Sequence, residues 1–311
     1  MLIRWVHVFL VDRKQRIKIG DVTSDWACIN GRVPQGTKLG PLLFITMIND
    51  LEVCLPTVKY VDDATSYEVL CHPTKAEAKK GKLPPVSKLQ EAADEVSKWS
   101  EVNNTKLNAK KTKELCVSFS KTIVTPPNIT LNDMQIEKVT TTKLLGVTIS
   151  DDLKWEVHVS EMYCKASTRL YFLRMLRHAG LDTADLLKVY LTMVRPILEY
   201  ACQVWHPGLT RGQSDTLESI QRRALRTIYP GMDYTEALTI SGLTSLSDRR
   251  TCLCRRLFEN MQNSSHKLHH LLPMEKTNVH NLRSINKYEP KKCRTNRYKN
   301  SFVPYCLDNF Q

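Results

Sequence analysis

The chain has 311 residues, enough for about two domains, and its 42% hydrophobic and 25% charged residues exclude a disordered polymer. Its 45 Lys and Arg against 32 Asp and Glu leave a formal charge of +13, which points to a polyanionic partner, nucleic acid or an anionic membrane surface. Ten scattered cysteines with no C-x-x-C pair exclude a disulfide framework and fit a reduced intracellular protein of the nucleus or cytoplasm.

The apolar run from Met1 to Val11 is interrupted by Arg4 and His7 and is too short to span a bilayer. It suits a helix, and Gln15 to Asn30 suits two short strands around the turn Gly20-Asp21. After Gly31-Arg32-Val33-Pro34-Gln35-Gly36-Thr37, residues Leu39 to Leu51 carry apolar side chains on most faces, as a helix buried against a sheet would. Val58 to Leu70 reads as strand, turn, strand around Asp62-Asp63. A Lys-rich loop separates it from a helical stripe, Val86, Leu89, Ala93, Val96 and Trp99. Strands follow at Leu115 to Phe119, Ile129 to Leu131 and Leu144 to Ile149.

Beyond residue 155 the pattern turns helical: Val157 to Leu176, Thr183 to Trp205, Ser214 to Ile228, Tyr234 to Leu238 and Ser247 to Met261. Pro196 should kink or split the second of these. Cys252 and Cys254 read as core thiols of the last helix. The basic stretch Lys276 to Lys299 has little apolar periodicity and reads as a mobile tail.

Two adjacent carboxylates at a hairpin tip, Asp62 and Asp63, are costly to bury without a partner, and a divalent metal with substrate phosphates is one such partner. An Asp-Asp pair alone is also what an ordinary solvated turn carries. Lys111 lies among Lys106, Lys110 and Lys113, as a surface lysine would. Arg222 and Arg226 share a helix face with Arg223 beside them, and Arg249 and Arg256 share another. Each set either tracks a phosphate backbone or is solvated helix surface.

Read together, Gly31 to Phe44, Ile48-Asn49-Asp50-Leu51 and Tyr60-Val61-Asp62-Asp63 resemble the paired palm motifs of non-LTR retrotransposon reverse transcriptases. Trp99, Asn103, Leu107, Asn108, Lys111 and Thr112 continue the resemblance, as do Leu144-Leu145-Gly146-Val147 and the helical segments Arg195 to Trp205 and Leu217 to Arg226 of jockey-like or CR-type elements. The resemblance implies an α+β fold: a partial right-hand palm over residues 1–150, a helical thumb and downstream domain over 151–275, and a basic tail over 276–311. It implies Mg²⁺ or Mn²⁺ on Asp62 and Asp63, and Lys111 near the triphosphate. Pro34, Gln35, Gly36 and Tyr60 would contact the incoming dNTP, and Leu145 and Gly146 would support the primer end.

RNA template and DNA primer would be the partners, with no membrane role. The chain departs from the family pattern at Arg32, where glycine is usual. The first palm strand, with its own aspartate, has no counterpart before Leu2, so the expectation is a reverse transcriptase segment inactive by itself, or a non-catalytic nucleic-acid-binding derivative of one. Oligomeric state is not legible.

Overall fold

The computed structural model describes residues 2–29, 36–71, 86–119, 126–275, 287–289 and 292–311. Contacts divide the chain into two compact units, one of Met1–Glu114 with Thr122–Glu137 and the other of Leu115–Lys121 with Lys138–Gln311. Helices and strands mix in the first and helices dominate the second, an α+β chain.

In the first unit, helix α1 (Leu2–Leu10) leads into two nested antiparallel ladders, β1 (Lys14–Gln15) with β4 (Ala27–Cys28) and β2 (Lys18–Ile19) with β3 (Val22–Thr23). Helix α2 (Leu39–Asn49) precedes the hairpin of β5 (Thr57–Tyr60) and β6 (Asp63–Ser66), which matches the strand, turn, strand pattern. Helix α3 (Leu89–Val102) packs Leu89 and Ala93 on Ile129, Leu131 and Ile136, a small core around the short β8 (Thr130–Leu131) and β9 (Met134–Gln135) hairpin. Between them lies β7 (Lys113–Leu115), two residues earlier than the expected strand.

The expected burial of α2 is not observed. Gly40 is its one buried residue, and Leu42 and Ile45 are 61% and 52% exposed. Apolar side chains on every face call for cover on every side, and this unit's own core covers few of them.

The second unit opens with β10 (Glu137–Val139) at its boundary and the hairpin β11 (Thr141–Leu144) and β12 (Val147–Ser150). Periodicity reads Leu144 to Ile149 as one strand, but Leu145 and Gly146 both have positive φ and form the two-residue turn. Val147 and Ile149 pack into the helical core, so this hairpin joins the helices.

Helix α4 (Glu156–His178) buries Val159, Met162, Ala166, Leu170 and Leu173 at helical spacing, with Glu156 in its first turn and Arg177 and His178 in its last to oppose the dipole. It packs along α8 (Arg211–Ile228), which starts in a Thr210–Gln213 capping box and buries Leu217, Ile220, Ala224, Leu225 and Ile228. Each buried leucine here is worth about 2–5 kcal/mol against alanine.

Pro196 does split its helix. Lacking an N–H, it follows a π-helical turn, Tyr190–Val194, between α5 (Thr183–Val189) and α6 (Arg195–Glu199). A second break comes at Tyr200 and Ala201, the latter at φ +50°, before α7 (Cys202–Trp205) buries Trp205 completely.

Helices α9 (Tyr234–Ser241) and α10 (Leu246–Met261) follow, each with a side-chain N-cap, Asp233 and Ser245. On α10, Cys254 is buried and Cys252 exposed, so one of the two expected core thiols is not in the core. After α11 (Asn296–Lys299), α12 (Phe302–Phe310) buries Cys306 and Leu307 against Phe258 and Met261.

The last residues are therefore packed structure rather than tail, because Phe302, Val303, Cys306, Leu307 and Phe310 recur at helical spacing behind the basic run. Residues 276–286, 290 and 291 of the expected mobile stretch lie outside the described residues.

Candidate active site and nucleic-acid interface

Tyr60 pairs with Asp63 across the β5–β6 ladder, which leaves Val61 and Asp62 as a two-residue turn. Val61 sits at φ +54°, where a β-branched residue pays steric strain and glycine is the usual occupant. Such strain persists only where neighbours over-determine the backbone, and here they do. Lys59 reaches back from β5 and donates its Nζ hydrogens to the carbonyls of Ile48, Asn49 and Leu51 at 3.1, 3.1 and 2.9 Å. It caps the C-terminal end of α2, where a cation is favoured, and pins the hairpin to that helix.

Asp50, in the same cap, accepts the indole N–H of Trp99 at 2.9 Å, tying the Ile48 to Leu51 segment to α3. The Thr57 and Ser66 hydroxyls close the open end of the hairpin at 2.7 Å. Neither Lys59 nor the Asp50–Trp99 bond is legible in the sequence, since spacing of 8 to 49 residues carries no periodic signal.

Asp62 and Asp63 are exposed at the tip, and among the described residues neither carboxylate has a hydrogen-bond or ion-pair partner. Oxygen donors of this kind suit a hard divalent cation that keeps waters and takes its remaining ligands from phosphate. No third His, Cys, Asp or Glu among the described residues completes a cluster with them; the one such cluster, Cys54, Glu91 and Glu95, lies elsewhere.

Of the expected nucleotide contacts, Pro34 and Gln35, like Arg32, lie outside the described residues. Gly36 has φ +78°, a conformation suited to glycine, and Thr37 accepts the Gly40 N–H at 3.2 Å at the start of α2. Tyr60 is 61% exposed.

Lys111 is exposed in a turn of its own making. Asn108 accepts its N–H through both the side-chain amide oxygen, 3.2 Å, and the backbone carbonyl, 3.0 Å, and the same carbonyl takes the Thr112 N–H at 3.0 Å. That local closure sets the spacing of Asn108, Lys111 and Thr112 in the turn.

In the second unit Tyr200 donates its hydroxyl to the Leu145 carbonyl at 2.9 Å, and a Cβ on Gly146 (φ +86°) would stand 3.1 Å from the Tyr200 ring. The expected primer-support turn is thus fixed from beneath by a tyrosine that sequence reading did not single out.

The arginines divide into engaged and open. Arg222 stacks 5.1 Å over Tyr234, Arg223 donates to the Tyr163 hydroxyl at 3.2 Å, and Arg249 shares Glu199 with Arg195 at 3.4 and 3.3 Å. Arg226 and Arg256 are exposed, without an ion pair among the described residues. A carboxylate 50 positions away from Arg249 is invisible to helical periodicity.

Residues 2–149 match the reverse transcriptase (RNA-dependent DNA polymerase) family. The chain is 25% identical over 279 residues to the RNA-directed DNA polymerase from mobile element jockey of Drosophila melanogaster, covering 88% of the chain and 29% of that protein. Over residues 2–149, the chain is thus similar to the reverse transcriptases. It is 28% identical over 250 residues to the probable RNA-directed DNA polymerase from transposon BS of the same fly, covering 75% of the chain and 26% of that protein. For the corresponding transposon X-element protein the identity is 22%, over 71% of the chain and 24% of the relative.

The chain thus spans less than a third of the length of the curated relatives it matches. No solved structure matches it significantly. Among the described residues no helix is long and apolar enough to cross a membrane.

Proposed function

We propose that this chain is a reverse transcriptase segment carrying part of a nucleotidyl-transfer site, with residues 1–150 as palm and the helices from 151 onward as thumb and downstream region on a template–primer duplex. The observation that carries the reading is the strained β5–β6 tip, which holds two unpartnered carboxylates out to solvent. Asp62 and Asp63 would hold Mg²⁺ or Mn²⁺, which supplies neutralisation of charge on the transferring phosphoryl group. Gly36, with Pro34, Gln35 and Tyr60, would border the dNTP. Lys111 would stabilise or protonate the departing pyrophosphate. Leu145 and Gly146 would position the primer end, whose 3′-hydroxyl attacks the α-phosphate in line.

A second reading, non-catalytic binding of RNA or DNA, is favoured by the lack of a third carboxylate beside the pair among the described residues. Arg226 and Arg256 are then the cations most available to phosphate, with Arg222 and Arg223 beside the first and Arg249 held on Glu199.

Ferrous iron bound in place of magnesium cleaves backbone at its ligands, which tests the metal site without requiring turnover. Cuts confined to residues around 62 and 63, suppressed by excess Mg²⁺ and lost in Asp62→Asn, are expected; no cleavage there would reject the metal reading. Extension of oligo(dT) on poly(rA) by the purified chain, abolished by Asp62→Asn with template affinity retained, would establish catalysis. Salt-dependent binding without extension would leave the second reading.

A further inference from the structure

The second unit contains a cavity of about 390 Å³ beneath the β11–β12 hairpin, within the size range of small-ligand sites. Its walls are mostly apolar, from Met162 of α4, Pro196 and Ile197 of α6 and the Tyr200 ring. Two cations stand at its rim. Lys143 and Lys165 share one carboxylate, Glu161, at 3.9 and 3.7 Å, and Glu161 also accepts the Thr148 hydroxyl at 3.0 Å. One shared carboxylate leaves the group with surplus positive charge, and the Lys165 ammonium pulls the Lys143 pKa below the usual lysine range. An anion bridging the two ammoniums would relieve that repulsion.

A histidine also lies in the wall. His158 is 4% exposed, and its Nδ1 accepts the Thr148 backbone N–H at 3.3 Å. The neutral ring therefore carries its hydrogen on Nε2, and Nε2 has no hydrogen-bond partner although it is buried. Burial also depresses the His158 pKa, so the ring stays neutral at pH 7. The imidazole is enclosed edge-on by the Trp155 and Trp205 rings at 6.2 and 5.7 Å, so it sits in the cavity wall as a fixed neutral reporter. Tyr200, a residue 57% exposed, offers a ring fixed by its bond to the Leu145 carbonyl, a platform on which a planar base can stack.

We propose that this cavity binds one nucleotide, with its phosphate between Lys143 and Lys165 and its base on the Tyr200, Ile197 and Met162 wall, beside His158. The inference rests on the nucleic-acid reading above and deepens it by giving it a site in the helical unit. Stacking tolerates any base, so the site discriminates nucleotide from bare phosphate rather than one base from another.

The test uses the whole 311-residue chain in EDTA, labelled with ¹⁵N-histidine and titrated separately with dAMP, a 5′-phosphorylated pentadeoxyadenylate and inorganic phosphate. Binding of either nucleotide probe should shift the His158 ring resonances, and Lys143→Gln with Lys165→Gln, both at half-exposed positions, should weaken that binding at least tenfold. Asp62→Asn should leave it unchanged, so loss of the catalytic reading and loss of this one are told apart. A shift with both nucleotides, or with the pentanucleotide alone, supports the site, the latter assigning it to a unit of a strand. Equal affinity for inorganic phosphate, an unmoved His158 signal, or full binding by the double lysine variant would overturn it.

Discussion

Gly146→Ala is the substitution whose cost the structure specifies most fully. At φ +86° an added Cβ strains the backbone, worth about 1–2 kcal/mol for an L residue in the left-handed region. The same Cβ would meet Tyr200 Cε1 at 3.1 Å, so the ring must give by a few tenths of an ångström and weaken its bond to the Leu145 carbonyl, a further ~1 kcal/mol. The sum, about 2–3 kcal/mol, corresponds to a roughly 30- to 160-fold shift in the local opening equilibrium of the turn.

Hydrogen exchange followed by mass spectrometry on peptides spanning residues 141–150 measures that shift directly, with peptides from α8 as an internal control. Tyr200→Phe should show the hydrogen-bond part alone, about 1 kcal/mol. Gly146→Ala in a Tyr200→Ala background should show the backbone part, about 1–2 kcal/mol. Exchange of the Gly146→Ala hairpin within twofold of the parent would refute the reasoning.

Three further outcomes are expected. His206 is held neutral by burial and by the Arg250 guanidinium, which bring its pKa down to about 4 from 6.5. The unfolded chain then takes up a proton that the folded chain refuses, so stability is constant above pH 6.5, falls as pH drops from 6.5 to 4 and levels off below; urea titrations across that window should lose up to about 3 kcal/mol, and His206→Gln should flatten the slope.

Arg250 is fully buried, donates to His206 at 3.2 Å and Ser214 at 3.2 Å, and leaves Nη1 without a partner. Replacing it by methionine should cost under about 1.5 kcal/mol or stabilise, whereas Arg250→Ala should lose about 3–5 kcal/mol; equal losses by thermal denaturation would contradict the view that its volume matters more than its charge. Lys59→Met frees the carbonyls of Ile48, Asn49 and Leu51, and protection of residues 57–66 should drop by about 1–3 kcal/mol while α4 is unaffected.

The sequence by itself determined most local structure. Alternation around Asp62-Asp63 gave the hairpin, and heptad-like spacing of Val159, Met162, Ala166, Leu170 and Leu173 gave the longest helix, because both signals repeat within a few residues. Motif order also carried the resemblance, since Tyr60 to Asp63 and Asn108 to Thr112 are short and closed locally. What tertiary structure decided involves partners far apart in the chain. Arg249 is held by Glu199, Tyr200 props Leu145 and Gly146, Lys59 caps α2, and Cys306 and Leu307 pack on Phe258 and Met261. Each pairs residues that no helical or strand period relates, and burial, which sets whether a charge is open or engaged, exists only once those distant segments meet.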